Sequence, residues 1–207
     1  MTLQQVSYPV QFDVDYPDEP LNRLSTFLRI LFLIPIVIVL TSVAGGQVGG
    51  GPGLYVSVGG LLVLPILLMI LFLRKYPRWW FDWNLEILRF ASRVGAYSSL
   101  LRDEYPSTDD EQSVHLNIAY PDVTAELNRW LPLFKWILAI PHYIVLFFLG
   151  IAAFIVIIIA WFAILFTGRY PRDSFNFVVG VMRWSIRVEA CAFLMVTDEY
   201  PPFRLSQ

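Results

Sequence analysis

Two long apolar runs divide the chain. Residues 30–73 hold 44 consecutive uncharged positions, and residues 136–168 hold 33. A helix rising 1.5 Å per residue needs about 20 apolar residues to cross the hydrocarbon layer. The first run predicts two crossings, over 24–43 and 54–73, joined by the turn Gly45–Gly53 with its six glycines and a proline. The second predicts two more, over 131–149 and 151–167, with Gly150 as the only breaker between them. Lys135 then sits near the start of its helix and reaches the interface with its ammonium group.

The flanks of these runs carry other periods. Val10, Phe12, Val14 and Tyr16 alternate with Gln11, Asp13 and Asp15, and Val114, Leu116, Ile118 and Tyr120 do the same around His115 and Asn117. Period two predicts a strand in each place. A lone strand is unstable, so the two are expected to pair with each other or with strands of a neighbouring subunit. Beyond each apolar pair the period becomes helical. Asp82, Glu86, Arg89 and Arg93 fall at i, i+4, i+7 and i+11, and Asn176, Gly180, Arg183 and Arg187 take the same places. Helices are predicted over 79–100 and 173–195, with Pro77 and Pro171 just ahead of them. Two arginines at the centre of a bilayer would cost several kcal/mol, so these are read as amphipathic helices lying in the interface. Trp79, Trp80 and Trp83 suit that depth.

The two halves carry one pattern. Tyr16-Pro17, Leu21-Asn22-Arg23, Arg29 and Ile34-Pro35 are answered by Tyr120-Pro121, Leu127-Asn128-Arg129, Lys135 and Ile140-Pro141. Tyr76-Pro77-Arg78 is answered by Tyr170-Pro171-Arg172, and Asp103-Glu104-Tyr105-Pro106 by Asp198-Glu199-Tyr200-Pro201. This order of matches defines a tandem repeat, residues 1–106 and 107–207. An even number of crossings per copy makes the repeat parallel. The expected fold is an all-α membrane protein of two parallel repeats, each a transmembrane hairpin plus an interfacial amphipathic helix, with short cytoplasmic β-strands.

Charge adds orientation. All 15 Lys and Arg lie outside the hairpin tips, so the positive-inside rule places both termini and the central stretch in the cytoplasm, as in a multi-pass protein of the cell (inner) membrane. Met1–Pro20 is polar and acidic, unlike a cleaved signal peptide, so the first membrane helix is expected to direct insertion. Only 15% of residues are charged and 57% are hydrophobic, against about 25% and 45–50% in soluble domains, which points to lipid as the solvent. The net charge of −2 with no basic tract argues against a nucleic-acid partner. One cysteine, Cys191, excludes an internal disulfide and a cysteine metal cage.

Candidate chemistry is sparse. Arg89, Arg93, Arg183 and Arg187 have two readings: a grip on lipid phosphates or another anion, or the wetted face of an interfacial helix, paired with Asp82, Glu86 or Glu189. His142 is an ionisable group inside a membrane segment, a functional candidate by position. It stands alone in its run and its counterpart is Ile36, so a neutral histidine bonded to a neighbouring helix is the competing reading. Pro35 and Pro141 kink a helix or simply pack. Asn22 and Asn128 read as helix caps, with Arg23 and Arg129 as interfacial anchors. No nucleophile constellation, phosphate loop, metal-ligand set or cofactor motif is present, so no enzymatic activity and no cofactor is expected.

Four segments carry a family resemblance: Leu131 to Trp136 running on to Ile140-Pro141-His142, Gly168 to Arg172, Val181-Met182-Arg183-Trp184, and Thr197 to Phe203. With these the chain resembles a family of bacterial membrane proteins known only as a domain of unknown function. The second half matches most closely, the first looks like a diverged copy, and the resemblance implies an architecture and no activity. Two functions remain: a non-enzymatic membrane scaffold or accessory subunit that binds lipid or a partner membrane protein, and an oligomeric channel or carrier for ions or small solutes. The expected partners are membrane lipids and either further copies of the chain or the other subunits of a larger membrane complex.

Overall fold

The computed structural model describes residues 8–43, 66–108, 110–123 and 127–206. In order these form β1 (Val10–Val14), α1 (Arg23–Val43), a π-helical segment (Met69–Leu73), α2 (Arg78–Ser98), β2 (Val114–Ile118), α3 (Pro132–Thr167) and α4 (Arg172–Ala192). The expected turn at Gly45–Gly53 and most of the expected helix over 54–73 lie outside the described residues.

The two alternating stretches are strands, and they pair with each other. β1 and β2 run antiparallel, with Val10 opposite Ile118, Phe12 opposite Leu116 and Val14 opposite Val114. Apolar side chains at every second position give the sheet one inward face, and Val10, Phe12 and Val14 are all buried there. α4 packs on β1 and α2 packs on β2. Each strand is thus covered by the helix from the opposite half of the chain. Phe81, Leu88, Phe175, Val178 and Met195 join the strand residues in one core.

Helix ends follow local chemistry. Asn22 Oδ1 accepts the N–H groups of Leu24 at 2.9 Å and Ser25 at 3.2 Å and so caps α1. Asn128 Oδ1 accepts the Trp130 N–H at 3.0 Å in the turn that leads into α3. α3 ends at Gly168, whose φ of 74° is a left-handed conformation that glycine adopts without strain, and whose N–H closes on the Ile164 carbonyl at 2.7 Å.

α3 overturns one expectation. Where two helices and a turn at Gly150 are expected over 131–149 and 151–167, one unbroken helix of 36 residues runs through Gly150. A glycine inside a helix costs about 1 kcal/mol. A reverse turn would strand up to four N–H and four C=O groups at the new helix ends, and the neighbouring side chains, all apolar, offer them nothing. One stripe of α3 is covered along its length: Lys135, Ala139, His142, Ala153, Ala160 and Ile164. The rest is bare, with Ile137, Phe147, Phe148, Phe154, Phe162 and Phe166 between 50% and 77% exposed.

Residues 23–42 and 132–167 are long and apolar enough to cross a membrane, and only 17% and 11% of their most apolar windows is buried. The core helix of a soluble domain would be mostly covered. α4 also differs from its expected setting. Rather than showing a wet face to the interface, it has thirteen of its 21 residues buried, Arg183 and Arg187 among them.

Candidate functional site

Two buried cations are each clasped by an aspartate. Arg29, 2% exposed, pairs with Asp103 and donates to the carbonyls of Tyr97 at 3.0 Å and Arg102 at 2.6 Å. Its guanidinium lies 4.2 Å from the centre of the Tyr97 ring. The other carboxylate oxygen of Asp103 accepts the Asn22 N–H at 2.6 Å. In the second half Lys135, 3% exposed, places Nζ 2.7 Å from Asp198 Oδ1 and 2.7 Å from the Thr197 carbonyl. Asp198 Oδ2 accepts the Asn128 N–H at 2.5 Å. Both clasps use an asparagine, a cation seven residues later, and the aspartate that opens Asp-Glu-Tyr-Pro. A buried cation is tolerable only with such partners.

Two tyrosines cross between the halves. Tyr16 Oη donates to the Tyr170 carbonyl at 2.5 Å, and Tyr120 Oη donates to the Tyr76 carbonyl. Their rings stand edge-on to Phe175 and Phe81, at 5.0 and 5.2 Å. The Tyr-Pro motifs ahead of the apolar runs thereby fasten each half to the turn before the other half's helix.

His142 lies two turns beyond Lys135 on the same stripe of α3 and is fully buried. The Trp184 indole N–H donates to its Nδ1 at 3.1 Å, Phe203 stacks on the ring at 4.1 Å, and Tyr200 stands 4.7 Å away. An indole nitrogen is only ever a donor, so Nδ1 is an acceptor and the neutral ring carries its proton on Nε2. In that tautomer neither nitrogen offers a free lone pair to a metal or haem iron. The counterpart position in the first half holds Ile36, packed on Phe90 and Val94. Apolar packing occupies that place, and the His142–Trp184 hydrogen bond has no equivalent there.

The four arginines serve the interior to different degrees. Arg183 donates from Nε to the Phe12 carbonyl at 2.7 Å, from Nη1 to Leu205 at 2.9 Å and from Nη2 to Asp13 at 2.9 Å. Arg187 donates to the Ser206 carbonyl at 3.0 Å. Burial, with Arg183 and Arg204 close by, pulls its pKa below the usual arginine value. Arg89 repeats part of this with Nε on the Leu116 carbonyl at 3.1 Å, and its Nη1 pairs with Glu86 at 2.6 Å. Arg93 donates to Ser107 at 2.8 Å. Phe12 and Leu116 face each other in the sheet, so Arg183 and Arg89 fasten the midpoints of the two strands. Arg89 and Arg93 also line an open cleft of about 410 Å³, where Glu86, Asp110 and Glu111 offset their charge. Glu189 makes no ion pair with Arg183 or Arg187, and burial pushes its carboxyl up to about 7. Burial also raises the Cys191 thiol, which keeps it protonated and unreactive. Among the described residues no three His, Cys, Asp or Glu side chains come together as a metal cage.

Asp103, Asp198 and Trp184 escape a reading that looks for catalytic patterns. The signal that finds the aspartates is the recurrence of the cation at a fixed distance from Asn and from Asp-Glu-Tyr-Pro. A helix-rich chain with two bare apolar helices and four buried, partnered cations is the class that this geometry defines. Residues 129–204 match the model of a family described as a domain of unknown function, DUF4389. The matched span holds α3, α4 and the closing segment, hence both the Lys135–Asp198 clasp and the His142 cluster. No curated protein and no solved structure matches the chain.

Proposed function

We propose that the chain is a non-enzymatic integral membrane protein made of two tandem copies of one unit, and that it acts as a scaffold or accessory subunit in the cell membrane. The observation that carries this reading is the bare apolar circumference of α1 and α3, beside a cap in which Arg29, Lys135, Arg183 and Arg187 are buried against partners. That bare surface is apolar, suited to lipid tails and to the helices of a partner membrane protein. The twin clasps, the crossed tyrosines and the two strand-midpoint arginines support the duplication. Lys135 and His142 face α4 and the closing segment, which favours a scaffold over a channel lined by α3.

The charge distribution favours a cytoplasmic cap. β2 precedes α3, α4 follows it, and both belong to the body built on the sheet. Both ends of α3 touch that body, Lys135 through Asp198 and the Gly168 carbonyl through the Leu21 N–H, which supports placing the two ends on one side of the bilayer. Trp130 and Arg169 flank α3 and are both exposed, while the single native thiol is buried. In a Cys191→Ser background, Trp130→Cys and Arg169→Cys should both react with an impermeant maleimide in inside-out vesicles and not in right-side-out ones. Opposite sidedness at the two positions would overturn the placement. For the function, native mass spectrometry after mild extraction should find phospholipids together with a partner protein or further copies of the chain. A bare monomer without either would sink the scaffold reading.

A further inference from the structure

A small cavity of about 20 Å³ opens between α3, α4 and the closing segment, lined by Lys135, Leu138, His142, Cys191, Asp198 and Tyr200 among others. His142 Nε2 is buried with no hydrogen-bond partner. The indole of Trp184 fixes that nitrogen as an N–H donor, and a buried donor left unpaired is costly. Asp198 Oδ1, also buried, has the Lys135 ammonium as its ion-pair partner and retains acceptor capacity. Tyr200 Oη spends its proton on the Leu138 carbonyl at 3.2 Å and keeps lone pairs.

We propose that this cavity is a hydration site for one water molecule, which accepts from His142 Nε2–H and donates to Asp198 and Tyr200. Size selects the ligand: roughly 10–15 Å³ is enough for one water, and no larger polar molecule fits. The chemistry selects it too, because His142, Asp198 and Tyr200 between them have one free donor and two acceptors, a set that water completes. The result is a continuous chain from Trp184 through His142 and the water to the Lys135–Asp198 clasp, tying α3, α4 and the closing segment together. The first half, with Ile36 on Phe90, has no counterpart for it.

Nuclear magnetic resonance of ¹⁵N-histidine-labelled protein in micelles tests this directly. His115→Gln removes the other histidine, which is solvent-exposed. The ring nitrogens are read through the non-exchanging protons Hδ2 and Hε1. A protonated Nε2, an unprotonated Nδ1, and a cross-relaxation peak from long-lived water to these ring protons are expected. An Nδ1–H tautomer, or the expected tautomer with no peak to water, would overturn the proposal. His142→Phe should also shift the Trp184 indole N–H resonance as its acceptor disappears. An unmoved indole resonance would count against the His142–Trp184 link on which the site depends.

Discussion

Asp198→Asn is expected to destabilise the protein by about 3–5 kcal/mol, the usual cost of leaving one member of a buried ion pair unpartnered. Lys135 is almost wholly buried, and among the described residues the Thr197 carbonyl, 2.7 Å away, would be the one partner left to its ammonium. At this chain length that loss corresponds to a fall in melting temperature of roughly 10 °C, measurable by intrinsic tryptophan fluorescence in detergent. Asp103→Asn should act in the same direction on Arg29, to a smaller extent, because the Tyr97 and Arg102 carbonyls still hold that guanidinium. Lys135→Met combined with Asp198→Leu should recover part of the loss, since an apolar pair can replace a buried ionic one. Full recovery is not expected, because the Asn128 N–H also loses its acceptor. If Asp198→Asn melts within 2 °C of the parent, the clasp is not what secures α3 to the closing segment.

The parts of this fold that follow local rules were legible in the residues. The alternation through Val10–Val14 and Val114–Ile118 gives strands because period two is a one-dimensional signal, and two short strands in one chain have an obvious partner in each other. Asn22 as a cap, and helices beginning after Pro77 and Pro171, are equally local. The path through Gly150 is not legible, because apolar composition is compatible with a turn or a continuous helix, and only the cost of stranding backbone groups decides between them. The environment of the arginines was not legible either. A period of 3.6 places Arg183 and Arg187 on one face, but whether that face meets water or a strand depends on the sheet carried by residues some 170 positions away. The His142 site was half legible: its position inside an apolar run drew attention to it, and its tautomer depends on Trp184, 42 residues further on.

Arg183→Met should cost on the order of 3–5 kcal/mol, while Arg89→Met should cost about 1 kcal/mol, although the two arginines hold equivalent places on their helices. Arg183 is buried and serves three acceptors: the Phe12 carbonyl, the Leu205 carbonyl and Asp13. Methionine keeps the stem and strands the buried Phe12 carbonyl, worth about 1–3 kcal/mol when left unpaired, the half-buried Leu205 carbonyl and the Asp13 carboxylate. Arg89 gives up one carbonyl bond and one largely exposed ion pair with Glu86, and exposed pairs contribute little. Arg183→Lys should fall nearer to methionine than to wild type, because one ammonium cannot span three acceptors that a planar fork reaches together. Thermal melts of the three variants in one detergent decide the order. If Arg89→Met proves as damaging as Arg183→Met, burial of the second pair does not set their importance. If Arg183→Met melts like the parent, the guanidinium is not the fastener between α4, β1 and the closing segment, and an external anion becomes the better account of its place in the chain.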